Sequence, residues 1–163
     1  DLFSYSRLKT RAVKVGDVGL GGDNPIRLKS MTTTHTMDID GTVEQSVRMI
    51  EAGCEIVRIT APSKKEAHAL KTIKQQLLDR GFDQPLVADI HFTPNAAEIA
   101  ADYIEKVRVH FGNYADKKKF EEINYSDESY AAELDRLEER FNPLVLKWKG
   151  LGRAMRTGTK HGQ

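Results

Sequence analysis

Apolar positions along this chain follow two alternating periods, and the alternation predicts a series of strand and helix units. Val43, Val47 and Ile50 fall three and four residues apart, as do Leu70, Ile73, Leu77 and Leu78. That spacing lines one face of a helix, so helices are predicted over 41–52 and 64–80, with a third over 95–103. Gly53 and Gly81 stand where C-terminal caps belong. Between the helices lie short runs that read as strands, over 26–31, 55–60, 86–92 and 106–111. Ahead of them, 12–16 and 18–20 flank Gly16-Asp17 and predict a small hairpin.

After the fourth of these strands the rhythm changes. Residues 114–150 hold the charged run KKKFEE and then a helical pattern through Tyr130, Leu134, Leu137 and Phe141. Pro143 is expected to interrupt this helix, which resumes through Leu146 and Trp148. A fifth strand is predicted over 153–159.

Repeated strand–helix–strand units imply a parallel sheet with right-handed crossovers. A closed eight-stranded barrel typically takes about 250 residues, and the 163 residues here hold five units. The rival is a complete open sheet with a phosphate-binding Gly-x-Gly-x-x-Gly turn after its first strand. Met31-Thr-Thr-Thr-His35 stands there instead. The expectation is therefore α/β: an incomplete (β/α)8 TIM barrel of about five parallel βα units preceded by a short N-terminal hairpin. Residues 1–24 are read as hairpin and lead-in, and 25–163 as units one to five. The chain starts at Asp1 and stops just after a strand-like segment, so a piece of something longer is expected, with sheet edges left open at the first and fifth strands. Self-association, or partial disorder near residues 110–150, would follow.

Charge narrows the partners. Lys and Arg number 25 against 24 Asp and Glu, which leaves no global field for nucleic acid or a membrane surface. No apolar run approaches the roughly 20 residues of a membrane helix, and a cytoplasmic protein is expected. Cys54 is the single cysteine; it cannot form an intrachain disulfide or by itself build a zinc or iron–sulfur centre, and is read as a packing residue.

Candidate chemistry comes from strand phase. In PLVADIHF, Asp89 and His91 point to one side with Val87, and Ala88, Ile90 and Phe92 to the other. Arg58 shares a face with Thr60, Arg108 with His110, and Arg156 with Gly158. Each strand after the first thus bears a polar residue near its carboxyl end, where parallel α/β sheets bind ligands. Guanidinium groups match phosphate oxygens and stay charged. One Arg at a strand end would suggest a structural ion pair; Arg58, Arg108 and Arg156 on separate strands, with Asp89 and His91 between, suggest a phosphate-lined mouth. Asp89 is read as orienting His91 or accepting a substrate hydroxyl, and His91 as donating to phosphate or moving a proton. A metal site from Asp89, His91, His110 and His161 lacks a supporting His-x-His spacing, and no metal is expected. The Thr-rich loop at 31–36 supplies ligand hydroxyls or caps the next helix. The lysines at 117–119 read as a solvated run, and Trp148 as helix core.

The motifs GGDNPIRLKSMTTTHTMD, GCEIVRIT, PLVADIHF, EKVRVHFGNYAD and MRTGTKHG resemble, in order, the barrel-domain motifs of the 4-hydroxy-3-methylbut-2-enyl diphosphate synthase family. The resemblance runs from about Tyr5 to Gly162, and the long connection over 114–150 resembles the larger form, which carries an insert domain. It implies a reductive opening of 2-C-methyl-D-erythritol 2,4-cyclodiphosphate in isoprenoid biosynthesis, with a [4Fe-4S] cluster on a C-terminal domain and ferredoxin or flavodoxin as electron donor. The setting implied is cytoplasmic in bacteria or plastidic in plants. Carried over by motif, Arg58, Arg108 and Arg156 match the phosphate-binding arginines and Asp89 and His91 the Asp-Ile-His strand end. Asn113 and Lys160 are counted with the substrate-binding residues. Departures stand at Lys29 (Gln in the family), His110-Phe111 (Asn-Pro), Lys160 (Asn) and Gln163 (Ser). The three cysteines and glutamate that hold the family's cluster, the last three barrel units and the insert have no match here, so the fragment alone is expected to be inactive. The alternatives are a non-catalytic phosphate-binding or interaction module and a pterin-binding synthase-like barrel.

Overall fold

A computed structural model describes residues 8–91, 93–110 and 126–158. The chain opens with an antiparallel hairpin, β1 (Val13–Val15) and β2 (Val18–Leu20), closed by Gly16 at φ 56°. Then come β3 (Lys29–Met31), α1 (Ile39–Glu51), β4 (Ile56–Thr60), α2 (Lys64–Asp79), β5 (Leu86–Asp89), α3 (Pro94–Ala100), β6 (Lys106–His110), α4 (Asp127–Gly150) and β7 (Ala154–Gly158). The five later strands form one parallel sheet in sequential order, β3-β4-β5-β6-β7.

Local chemistry sets the helix ends. Asp38 caps α1 by accepting from the Gly41 amide at 3.1 Å. Ser63 caps α2, accepting from the Lys65 amide while its hydroxyl donates to Glu66, a serine–glutamate arrangement that occupies otherwise orphaned donors at a helix start. Pro94 occupies the first turn of α3, where a missing N–H costs nothing.

One face of the sheet is apolar. Val57, Ile59, Leu86, Ala88, Val107 and Val109 are buried with Val43 of α1, Leu70, Ile73 and Leu77 of α2, Ala97 of α3 and Leu144 and Trp148 of α4 in a single core. The helices follow one another along that face, α1 against α2, α2 against α3 and α3 against α4. A doubly wound sheet would put helices on both faces; a ring of helices outside and a bare face inside is the arrangement of a barrel wall. The hairpin lies at the amino end of the strands, where Gly16 passes so close to Glu105 and Pro85 that a Cβ would sit 3.3 and 3.5 Å from their side chains. The carboxyl ends of the strands are at the opposite rim.

Three boundaries differ from expectation. β3 begins at Lys29, with Ile26 and Leu28 exposed, because Arg27 turns back to the Gly19 carbonyl and to Glu55. β5 ends at Asp89, although the Ile90 amide still donates to the Arg108 carbonyl at 3.0 Å. Pro143 does not interrupt α4, which runs unbroken from Asp127 to Gly150. Phe141, Leu144 and Trp148 on either side of Pro143 are buried, and that packing carries the helix through the missing hydrogen bond. The disorder expected near 110–150 therefore does not extend over Asp127–Gly150. Phe92, Phe111, the lysines at 117–119, Thr159 and Gln163 lie outside the described residues.

Candidate functional site

The inner face of the sheet is built by alternation. In register, Met31 pairs with Arg58, Arg58 with Val87 and Val87 with Lys106; one step toward the carboxyl rim, Thr60 pairs with Asp89, Asp89 with Arg108 and Arg108 with Arg156. Paired residues of parallel neighbours project from the same face. Arg58, Asp89, Arg108 and Arg156 thus share the bare inner face, and His110 pairs with Gly158 beyond them.

Asp89 is wholly buried and is the hub of the cluster. Arg58 donates to its Oδ2 from Nε at 2.8 Å and again from Nη2. Arg108 donates from Nη1 to Oδ1 at 2.7 Å. Burial pushes the Asp89 carboxyl up, but the hydrogen bonds from Arg108 and Arg58 and the charges of Arg58 and His91 outweigh it, holding the group below its ordinary value. His91 Nε2 is 3.9 Å from Asp89 Oδ2, too far for a hydrogen bond, and 3.5 Å from Arg108 Nη1. Asp89 orients guanidinium groups here rather than the imidazole.

Arg108 also fixes a histidine. Its Nη2 lies 2.6 Å from His110 Nε2, and His110 Nδ1 lies 3.1 Å from the Gly158 carbonyl. A guanidinium only donates and a carbonyl only accepts. His110 therefore carries its proton on Nδ1 and a lone pair on Nε2, as a neutral ring bridging β6 to β7. Arg58 and Arg108 keep about a fifth of their side-chain surface exposed, and among the described residues Nη1 of Arg58 and Nε of Arg108 have no side-chain partner, so both can still donate to a ligand.

A family model described as the GcpE TIM-barrel domain matches residues 10–163. The chain belongs to the GcpE TIM-barrel family. Curated relatives of this GcpE-type chain include proteins of Protochlamydia amoebophila (54% identity over 157 residues, 96% of this chain and 24% of the relative) and Leptospira interrogans (54% over 160 residues, 98% and 24%). Another is from Chlorobaculum tepidum (51% over 161 residues, 99% and 22%). All three are named 4-hydroxy-3-methylbut-2-en-1-yl diphosphate synthase (flavodoxin). The chain spans about a quarter of the length of these relatives. The match decides against the pterin-binding synthase alternative.

Within the GcpE-type barrel wall, Arg58, Asp89, Arg108, His91 and His110 come together in one hydrogen-bonded group. Arg156 shares their face by register but is exposed and makes no hydrogen bond to them. Asn113, Lys160 and His161 lie outside the described residues. The Thr-rich loop turns to α1: the Thr33 and Thr34 amides donate to Gln45 Oε1 at 2.9 and 3.2 Å, Thr34 meets Thr42, and Thr36 donates to the Thr60 carbonyl. Cys54 is buried, with Sγ 3.1 Å from the Ile56 carbonyl. Among the described residues no group of three or more His, Cys, Asp or Glu is placed to hold a metal, and no helix is long and apolar enough to cross a membrane.

Two residues outside the sequence-based site belong to this face. Lys29 pairs with Ile56, two residues before Arg58, and Lys106 lies two before Arg108. Burial first, then the charges of Arg156 and Arg58, lower the Lys29 amine pKa, with Asp89 opposing. Burial and then the charges of Lys29 and Arg156 lower that of Lys106. The signal for Lys106 was in its strand phase, which it shares with Arg108.

Proposed function

We propose that this chain is the substrate-gripping wall of a 4-hydroxy-3-methylbut-2-en-1-yl diphosphate synthase. In this reading Arg58, Arg108 and Arg156 hold the diphosphate of 2-C-methyl-D-erythritol 2,4-cyclodiphosphate at the carboxyl rim of the barrel. The observation that carries the reading is the Arg58–Asp89–Arg108 clamp with Arg156 in register beside it, in a chain about half identical to proteins bearing that name. Asp89 fixes two guanidinium planes before the ligand arrives, which lowers the ordering cost of binding. His91, half-buried beside Arg108, stands where it can donate to a phosphoryl oxygen. Asn113 and Lys160 complete the ligand set by resemblance.

The reaction of the parent enzyme takes up two electrons and releases water, and the relatives' names point to flavodoxin as the donor. The residues present do not fit a cysteine-held iron–sulfur cluster: the chain has one cysteine, and Cys54 is engaged with the sheet backbone. The redox step is therefore assigned to parts of the parent protein beyond this chain, as are barrel closure and the insert domain. A cytoplasmic location goes with this reading.

The test is calorimetric titration of the chain with the cyclodiphosphate. Charge-assisted hydrogen bonds contribute about 1.5 to 3 kcal/mol each, so Arg156→Gln is expected to weaken binding by about ten- to a hundredfold. Unchanged affinity in both Arg156→Gln and Arg58→Gln, or tighter binding of a sugar lacking phosphate, would remove the reading.

A further inference from the structure

The two arginines of the clamp are held unequally by their shared carboxylate. Arg58 meets Asp89 Oδ2 with both Nε and Nη2, and two donors on one edge fix a guanidinium plane. Arg108 reaches Asp89 through Nη1 alone, at 2.7 Å from Oδ1. One hydrogen bond to a terminal nitrogen leaves the group free to swing about that contact. His91 does not remove this freedom, because its Nε2 lies 3.5 Å from the same Nη1, at the outer limit of a hydrogen bond.

The second point of support is His110. Its Nε2 lies 2.6 Å from Arg108 Nη2, the other terminal nitrogen, so Asp89 and His110 together fix the guanidinium plane. The imidazole is only 4% exposed, so water does not take its place, and it accepts at Nε2 only with its proton on Nδ1. The Gly158 carbonyl, 3.1 Å from Nδ1, holds it in that tautomer, since the bond made by one ring nitrogen decides the state of the other. Gly158 pairs with His110 across β6 and β7 and stands two residues beyond Arg156. A carbonyl of β7 therefore sets the acceptor that aims Arg108 of β6.

We propose that His110 is a positioning residue: it converts Arg108 from a hinged donor into a pre-aimed one, and it makes that aim depend on the docking of β7 against β6. A donor ordered in advance loses less freedom when a ligand arrives. The inference rests on the functional reading above and adds to it a residue that acts through Arg108 rather than on the ligand. Glutamine and asparagine separate the two halves of the ring. The amide oxygen of Gln can stand where Nε2 stands and keep an acceptor for Arg108. Asn reaches only as far as Nδ1, which keeps the Gly158 bond and leaves Arg108 unsupported.

The test reads the guanidinium and the affinity separately. In the unaltered chain labelled with nitrogen-15, Arg108 should show two distinct Nη signals and a nitrogen–nitrogen coupling to His110 Nε2 across the hydrogen bond. The exposed Arg156 should show one averaged Nη signal. His110→Gln should keep the distinct signals and bind the cyclodiphosphate within about threefold of the unaltered chain by calorimetry. His110→Asn should merge the signals and weaken binding by about tenfold. Absence of the coupling, with Arg108 averaged like Arg156, overturns the proposal without any variant, so a variant that does not fold leaves it testable. An Asn variant that binds as well as the Gln variant, or better, also overturns it, because the bond to β7 or simple packing then carries the effect. In either case, weaker binding by Arg58→Gln leaves the functional reading standing. No binding of the cyclodiphosphate by the unaltered chain overturns that reading and this inference together.

Discussion

Arg108 meets Asp89 at 2.7 Å from Nη1 to Oδ1, and the carboxylate it meets is fully removed from solvent. A buried carboxylate without its partners costs several kcal/mol, so the pair is a stability element as well as a binding device. Removing the charge leaves Arg58 and Arg108 facing each other across an uncompensated gap. Asp89→Asn is expected to lower unfolding free energy by about 3 kcal/mol, the low end of the range for breaking a buried pair, since both arginines reach solvent. Urea denaturation should show a lower midpoint with an unchanged slope. A loss below about 1 kcal/mol would mean that the clamp behaves as a surface pair.

The same carboxylate sets an acid limit. Its folded pKa lies below the ordinary value of 3.8, so the folded state holds fewer protons than the unfolded one as the unfolded group titrates. The stability it contributes is fully present above the unfolded value and is lost as pH falls through the folded value. The gap in midpoint between the unaltered chain and Asp89→Asn should therefore hold from neutrality down to about pH 5 and close at more acid pH. A gap that widened on acidification would contradict the sign.

What the sequence disclosed, and what it hid, follows from which signals are local. Strand phase is local, so Arg58 with Thr60 and Arg108 with His110 could be placed on common faces from alternation alone, and their registers agree. The order of units carried the barrel wall because right-handed crossovers leave few other topologies. Curvature is not local: how far a five-stranded parallel sheet bends toward a barrel depends on how its strands twist together, and no single residue in the sequence announces it. Pro143 misled for the opposite reason. Its local rule is strong, but Phe141, Leu144 and Trp148 are anchored in the core on both sides of it, and tertiary packing prevailed.

His110 offers a spectroscopic check on the cluster. Its ring lies between Arg108 Nη2 at 2.6 Å and the Gly158 carbonyl at 3.1 Å, which requires the proton on Nδ1. Nitrogen-15 spectra at neutral pH should show a protonated Nδ1 and a bare Nε2. Arg108→Gln, which can donate less rigidly to Nε2, should let the other tautomer appear. An Nε2-protonated ring in the unaltered chain would show that Arg108 does not hold it.

The sheet edges set how the isolated chain behaves in solution. Among the described residues no strand pairs with the outer side of β3 or β7, and open edges template association. On β7 the Ala154 amide donates inward to the Glu105 carbonyl, so by alternation the amides of Ala154 and Arg156 face β6 while those of Met155 and Thr157 face outward. Proline at an outward amide removes an edge donor without touching the pairing to β6. The unaltered chain should therefore show concentration-dependent self-association by sedimentation velocity, and Thr157→Pro should weaken it while keeping the helical circular dichroism signal. Monomer behaviour across a hundredfold range of concentration would mean that Lys29 and Arg156, charges borne on the two edge strands, already suffice to keep copies apart.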